Sequence, residues 1–147
     1  CSPMTFLSRA FVNSIFKKMA LKDGIPFRVF VYNSLWLCFC VLFLYCFSDL
    51  IVNTLFGKEY MQVSGYILLL SIAFLLQGMY APFSFLVAKS KGKELRNVAY
   101  SEAIVNVIGN IILVPIYLVE GAIYASILSR FTHFVGLWYY YNKMMKS

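Results

Sequence analysis

Long runs of apolar residues alternate with short polar segments along the chain. Four runs contain about 20 residues or more, the length that an α-helix needs to cross a hydrocarbon layer of about 30 Å. They cover residues 29–53, 65–88, 98–117 and 121–141. None shows the alternation of apolar and polar residues that is typical of membrane β-strands. The pattern therefore predicts an all-α membrane protein with four complete transmembrane helices.

A shorter apolar run, residues 4–19, opens the chain and ends at Lys17 and Lys18. We interpret it as the end of a fifth transmembrane helix that begins upstream, because the run is short for a span and has no signal-peptide features. On this interpretation, residues 1–147 form the C-terminal part of a larger polytopic membrane protein.

The composition agrees with a membrane environment. Hydrophobic residues make up 61% of the chain and charged residues only 13%, whereas a soluble domain has roughly 25% charged residues. The net charge is +7, but the basic residues form short clusters between apolar runs and do not cover one face. This distribution argues against a nucleic-acid partner and favours anionic phospholipids as partners of the cytoplasmic loops.

Basic residues are concentrated in every second polar segment. Residues 17–28 and 89–96 each contain four Lys or Arg, and the C-terminal tail contains two lysines. The intervening segments, residues 57–64 and 115–121, contain one lysine between them. The positive-inside rule therefore places the basic loops and the C-terminus in the cytoplasm.

Polar side chains within the apolar runs are the candidates for function, because hydrocarbon offers them no hydrogen-bond partner. Ser126, Ser129, Arg130 and His133 of the last run fall within an arc of about 100° at the helical period. Arg130 lies near mid-span, where an arginine costs about 2.5–3.5 kcal/mol on insertion scales. We therefore expect this face to point into a helical bundle. A lone His133 is typical of a buried histidine with a partner, but beside Arg130 it becomes a second candidate.

Glu102, Asn106 and Asn110 follow one another at i, i+4 and i+8, which forms a polar stripe along the third complete helix. They are candidates to line a substrate cavity. A structural interpretation is equally open: the asparagines can link helices at about 0.6 kcal/mol for each hydrogen bond. Glu102 can simply pair with Lys93 or Arg96 near the cytoplasmic end.

Three further cavity candidates lie in other runs. Arg9 and Asn13 repeat the helical spacing in the opening run, although Arg9 can also extend its side chain to the membrane surface. Gln77 is a polar residue in the run 65–88, where Pro82 is expected to loosen the backbone, as in many transporter helices.

The chain contains none of the common catalytic or nucleotide-binding motifs, such as GxSxG, HExxH, the phosphate-loop motif or GxGxxG. It has one histidine, which excludes a His-rich metal site within it. Asp49 and Glu102 are expected near opposite membrane faces, so they do not form a catalytic pair. We therefore predict that the protein is not an enzyme and uses no cofactor or metal.

The order of several features resembles a known family. Asn106 and Asn110 precede an apolar run with Pro115, and residues 120–122 (Glu-Gly-Ala) open the last helix; residues 55–60, an apolar helix and a lysine-rich loop come before them. This order resembles the C-terminal part of bacterial polysaccharide biosynthesis flippases. These are O-antigen or capsule repeat-unit translocases of the multidrug/oligosaccharidyl-lipid/polysaccharide exporter superfamily.

The resemblance implies a larger two-lobe helical transporter of the bacterial inner membrane that moves undecaprenyl-pyrophosphate-linked oligosaccharides by alternating access. Its partners would be the lipid-linked oligosaccharide and the polysaccharide polymerase machinery. Arg9 and Arg130 would match the cationic cavity of the family. Val119 and Glu120 depart from the family, which often has a second glycine after an aromatic residue there, so the outer turn is expected to differ.

Three other interpretations are open. A drug or small-cation exporter of the same superfamily would need intramembrane carboxylates, for which Glu102 is the fair candidate. A membrane-embedded polysaccharide polymerase or acyltransferase would usually need a large outer loop or a catalytic histidine–acid pair. A purely structural scaffold would leave Arg130 unexplained.

Overall fold

The computed structural model describes residues 10, 13, 25–55, 57–60 and 62–146. Every regular element in these ranges is helical, which confirms the predicted all-α class. The elements are α1 (Phe27–Leu55), a 3-10 turn (Lys58–Tyr60), α2 (Gln62–Gly78), a second 3-10 turn (Ala81–Phe83), α3 (Ser84–Ala88) and α4 (Gly92–Lys146).

Three helical stretches in the described part of the chain are long and apolar enough to cross a membrane: Phe27–Leu55, Ser64–Val87 and Gly92–Lys146. The most apolar 18-residue windows of these stretches have mean hydropathies of 2.3, 1.7 and 2.1. Length and composition together therefore agree with a helical membrane protein. The opening run, residues 4–19, lies outside the described residues except for Ala10 and Asn13.

Helix α4 folds back on itself. Leu118 has φ 50° and ψ −122°, which lie outside the right-handed helical region, so it separates a first limb (residues 92–117) from a second limb (residues 119–146). A Cβ built on Gly109 would lie 3.0 Å from the Cβ of Ala125. The two limbs are therefore antiparallel neighbours, and residues at similar distances from Leu118 face each other.

The limbs approach most closely beside the turn. A Cβ built on Gly121 would collide with the backbone carbonyl of Leu113, so only glycine permits this approach. Pro115 removes a backbone donor from the end of the first limb. The turn at Leu118 lies inside the segment 115–121, where the sequence analysis places it.

The helical path is interrupted after Gly78. Pro82 explains the break, because it has no N–H to return to the carbonyl of Gly78 four residues earlier. Asn33 of α1 supplies the missing donor instead: its Nδ2 donates to that carbonyl at 3.2 Å. The chain continues through the 3-10 turn Ala81–Phe83 into α3. We call this break in the apolar run 65–88, residues 78–83, the joint.

An aromatic cluster joins α1, the second 3-10 turn and the second limb of α4. Phe83 is almost fully buried, and the ring centroids of four neighbours lie 5.4 to 6.3 Å from its own. All four meet Phe83 edge-on, the arrangement that aromatic pairs favour. They are Phe30, Phe134, Trp138 and Tyr141.

The same packing collects basic residues at one end of the helices. The Tyr141 hydroxyl accepts a hydrogen bond from the Ile25 amide at 3.1 Å, which brings the start of α1 to the end of α4. We call this region the basic end. Its described cations are Arg28, Lys89, Lys91, Lys93, Arg96, Lys143 and Lys146.

Candidate functional site

Arg130 points from the second limb of α4 towards α2. Its Nη1 donates to Oε1 of Gln77 at 2.6 Å and to the backbone carbonyl of Ala73 at 3.1 Å. The guanidinium carbon also lies 4.9 Å from the ring centroid of Phe74, close enough for a cation–π contact. The second limb therefore contacts α2 through Arg130, and two predicted site residues, Arg130 and Gln77, are partners.

The positive charge of Arg130 has no anionic partner among the described residues. The ion pairs found in that part of the chain are Lys91 with Glu94 and His133 with Glu102. Both hydrogen-bond acceptors of the guanidinium are neutral oxygens. Because these bonds use only Nη1, the other guanidinium nitrogens have donors left for a ligand.

His133 of the second limb faces Glu102 of the first. Its Nδ1 lies 2.6 Å from Oε2 of Glu102, and the two side chains are 17% and 30% exposed. The structure thus gives Glu102 a partner other than Lys93 or Arg96. The reason is the hairpin register, which places positions 102 and 133 opposite each other.

Tyr80 connects His133 with Arg130. Its ring stacks on the His133 imidazole, with centroids 4.3 Å apart and planes at 19°. Its hydroxyl donates to the backbone carbonyl of Arg130 at 2.7 Å. Tyr80 is not among the residues predicted from the sequence, although its position between Gly78 and Pro82, where a helix must break, was the available signal.

The two predicted asparagines are joined by hydrogen bonds, and Asn106 also bonds to the second limb of α4. Asn106 Nδ2 donates to Oγ of Ser129 at 3.2 Å, and Asn110 Nδ2 donates to the carbonyl and Oδ1 of Asn106 at 2.8 and 3.0 Å. Ser129, which is buried, donates in turn to the carbonyl of Ser126 at 3.0 Å. Asn106 therefore links the two limbs, as its structural interpretation expects, whereas the bonds of Asn110 stay within the first limb.

A cavity of about 430 Å³ lies beside Tyr80 and His133, within the range of about 300–1,000 Å³ that is typical of small-ligand sites. Four predicted site residues line it, whereas Arg9 lies outside the described residues. The polar lining consists of Asn13, Gln77, Tyr80, Glu102 and His133. The apolar lining consists of Ala81, Phe83, Val87, Leu95 and Leu137.

Comparison of the chain with profiles of protein families, with curated proteins and with solved structures gives no match. The resemblance to polysaccharide flippases therefore stays a prediction. The case for a function rests on the chemistry of this polar cluster: a guanidinium with neutral partners, a histidine–carboxylate pair and a cavity with donors and acceptors.

Proposed function

We propose that this chain is part of a flippase that carries undecaprenyl-pyrophosphate-linked oligosaccharide repeat units across the bacterial inner membrane. In this proposal α1, the α2–α3 segment and both limbs of α4 cross the membrane, and the basic end faces the cytoplasm. The observation that carries the proposal is the charge of Arg130, which lies inside a helical bundle with neutral acceptors and, among the described residues, no carboxylate partner.

An anionic ligand accounts best for such a charge. A mid-span arginine costs about 2.5–3.5 kcal/mol on insertion scales, and the neutral oxygens of Gln77 and Ala73 only partly offset that cost. A pyrophosphate would provide the missing counter-charge, because guanidinium N–H groups match pairs of phosphate oxygens and remain charged at every physiological pH.

The cavity suits the sugar part of the ligand. Its amides, phenol, imidazole and carboxylate include both hydrogen-bond donors and acceptors, which the hydroxyl groups of a sugar need. Gln77 lies at the boundary, because it lines the cavity and also accepts the hydrogen bond from Arg130. The pyrophosphate at Arg130 and a sugar in the cavity would therefore be neighbours.

The joint between α2 and α3 favours a transporter over a rigid scaffold. Helices interrupted near the binding site are a common feature of secondary transporters, which alternate access by moving one bundle against another. The joint at Gly78–Phe83 carries Tyr80, which contacts both His133 and Arg130. A change of angle at this joint would therefore change the shape of the site directly.

The test is Arg130→Gln in the complete gene product, with surface polysaccharide as the measurement. We expect at least about a tenfold loss of polysaccharide, equivalent to about 1.4 kcal/mol of lost interaction, with normal protein in the membrane. Arg96→Gln removes the same charge from an exposed residue of the basic end and should leave the polysaccharide unchanged. Undiminished polysaccharide in Arg130→Gln would overturn the proposal.

A drug or cation exporter is the second candidate, and one observation favours it. Glu102 is an intramembrane carboxylate that lines the cavity and pairs with a titratable histidine, as an exporter coupled to protons would need. Under this alternative, Glu102→Gln would abolish drug resistance while Arg130→Gln would preserve it. The flippase proposal expects loss of polysaccharide in Arg130→Gln and no drug phenotype in either variant.

A further inference from the structure

A groove of about 660 Å³ runs along the end of the second limb of α4. The described lining residues follow at i, i+3, i+4, i+7, i+8 and i+11, which is one face of a single helix. None of them belongs to the lining of the cavity beside Tyr80. They are Val135, Trp138, Tyr139, Asn142, Lys143 and Lys146.

The apolar half of this groove contains Trp138, whose position is fixed by contacts with other aromatic rings. The indole of Trp138 lies 6.1 to 6.3 Å, centroid to centroid, from the rings of Phe30, Phe83 and Phe134. Those contacts hold Trp138 in place, yet 46% of its surface remains exposed, together with 60% of Tyr139. An apolar chain would therefore meet a preformed aromatic surface and would not have to order it.

The basic half has positive charge without a counter-ion among the residues that the structure describes. The chain contains no Asp or Glu after Glu120, and neither Lys143 nor Lys146 forms an ion pair with a described residue. By contrast, Lys91 at the same end of the helices lies 3.9 Å from Glu94. The two C-terminal lysines thus form a local cationic site beside the amide of Asn142.

The order of these residues along the helix matches a phospholipid. From Val135 to Lys146 the surface changes from apolar to aromatic to basic over about 16 Å at 1.5 Å per residue, close to one half of a hydrocarbon layer of about 30 Å. We propose that the groove binds one anionic phospholipid, with its phosphate at Lys143 and Lys146 and an acyl chain along Val135 and Trp138.

The positive charge of the groove favours an anionic phospholipid over a zwitterionic lipid or a second copy of the chain. Basic residues near a membrane surface attract anionic lipids, and a zwitterionic lipid, which has no net charge, would lack that attraction. A second copy of the chain would bring the same positive charge to the groove. The site is independent of the proposed transport function, because no residue of the polar cluster takes part in it.

The two tryptophans of the chain make the proposal testable by fluorescence. Trp36→Phe leaves Trp138 as the single indole, and the full chain is reconstituted into phosphatidylcholine vesicles that contain brominated lipid as the quencher. We expect brominated phosphatidylglycerol to reach half-maximal quenching at about a tenfold lower mole fraction than brominated phosphatidylcholine. In Lys143→Gln/Lys146→Gln this preference should disappear, while Lys143→Arg/Lys146→Arg should retain it.

The control pair is Lys91→Gln/Lys93→Gln, which removes the same charge from the same end of the helices. It should retain the preference for phosphatidylglycerol if the groove is a local site. Equal quenching by the two lipids, or equal loss of preference in the control pair, would overturn the proposal. Quenching by neither lipid would also overturn it, because the groove would then be covered by protein; retention of each variant in the vesicles after carbonate extraction verifies separately that it is inserted.

Discussion

Helix α1 and the second limb of α4 are both long and apolar, but they have different surroundings. α1 presents large apolar side chains to the outside along most of its length, and Asn33 is its one buried polar residue. The second limb directs Ser129, Arg130 and His133 at neighbouring helices. The outward apolar residues of α1 include Val31, Leu35, Phe39, Leu42, Phe43, Phe47 and Leu50.

Mean hydropathy separates α1 little from α4 taken as a whole, because the most apolar 18-residue windows of these helices have mean values of 2.3 and 2.1. The distinction comes from where small and polar residues occur on each helix. A helix that faces lipid needs only apolar bulk, whereas a helix inside a bundle needs glycine for close approach and polar groups with partners.

The largest effect is expected when an arginine is placed on the exposed apolar side of α1. Leu42 lies near the middle of α1 and is 61% exposed, so Leu42→Arg should lower membrane insertion by about 2.5–3.5 kcal/mol. The measurement is the fraction of the chain recovered in the membrane, with Leu42→Met as the control. Full recovery of Leu42→Arg would mean that this side of α1 faces protein or water.

The next largest effect is expected at the α4 turn. Gly121→Ala places a methyl group against the carbonyl of Leu113, and overpacking of this kind costs about 1–3 kcal/mol. The melting temperature in detergent should fall by several degrees. Gly65→Ala is the matched control, because a Cβ there has open space around it; an equal change in both variants would contradict the close approach of the limbs.

A smaller effect is expected for the bond between the two limbs. Ser129→Ala removes the acceptor of the Asn106 amide, and interhelical hydrogen bonds of this type average about 0.6 kcal/mol with a maximum of about 1.7 kcal/mol. A double-mutant cycle with Asn106→Ala should return that coupling energy. Ser101→Ala, which changes an exposed hydroxyl bonded within its own helix, should have no effect.

The smallest effect is expected for an apolar truncation on α1. Leu50 is 64% exposed, and Leu50→Ala should change the free energy of unfolding by less than about 0.5 kcal/mol. The reason is that lipid tails replace the lost contacts with contacts of the same kind. A loss above about 1 kcal/mol in thermal unfolding would identify a helix packed on this side.

Much of this arrangement could be predicted from the sequence. Apolar length indicates the helical membrane class, and the helical period places Arg130 and His133 on one face. Because hydrocarbon excludes an unpartnered arginine, that face was expected to point inward, and the structure places α2 against it.

The partners of these residues were harder to predict, because periodicity describes one helix at a time. The pairing of Glu102 with His133 follows from the hairpin register, which the turn at 115–121 already indicated. Tyr80 could not be placed by periodicity, because the break at Pro82 removes it from the helical register. Its contacts depend on the angle at which the chain continues, which is a tertiary property.

The carbonyl of Gly78 has a consequence beyond the packing of α1. Pro82 has no N–H to donate to this carbonyl. The side-chain amide of Asn33, on α1, donates to it instead and so holds the bend after α2. The angle of this bend is therefore fixed by a contact with another helix and not by the backbone of the bent helix itself. Replacing Asn33 by leucine would leave every helical turn intact and still let the chain beyond Gly78 point elsewhere.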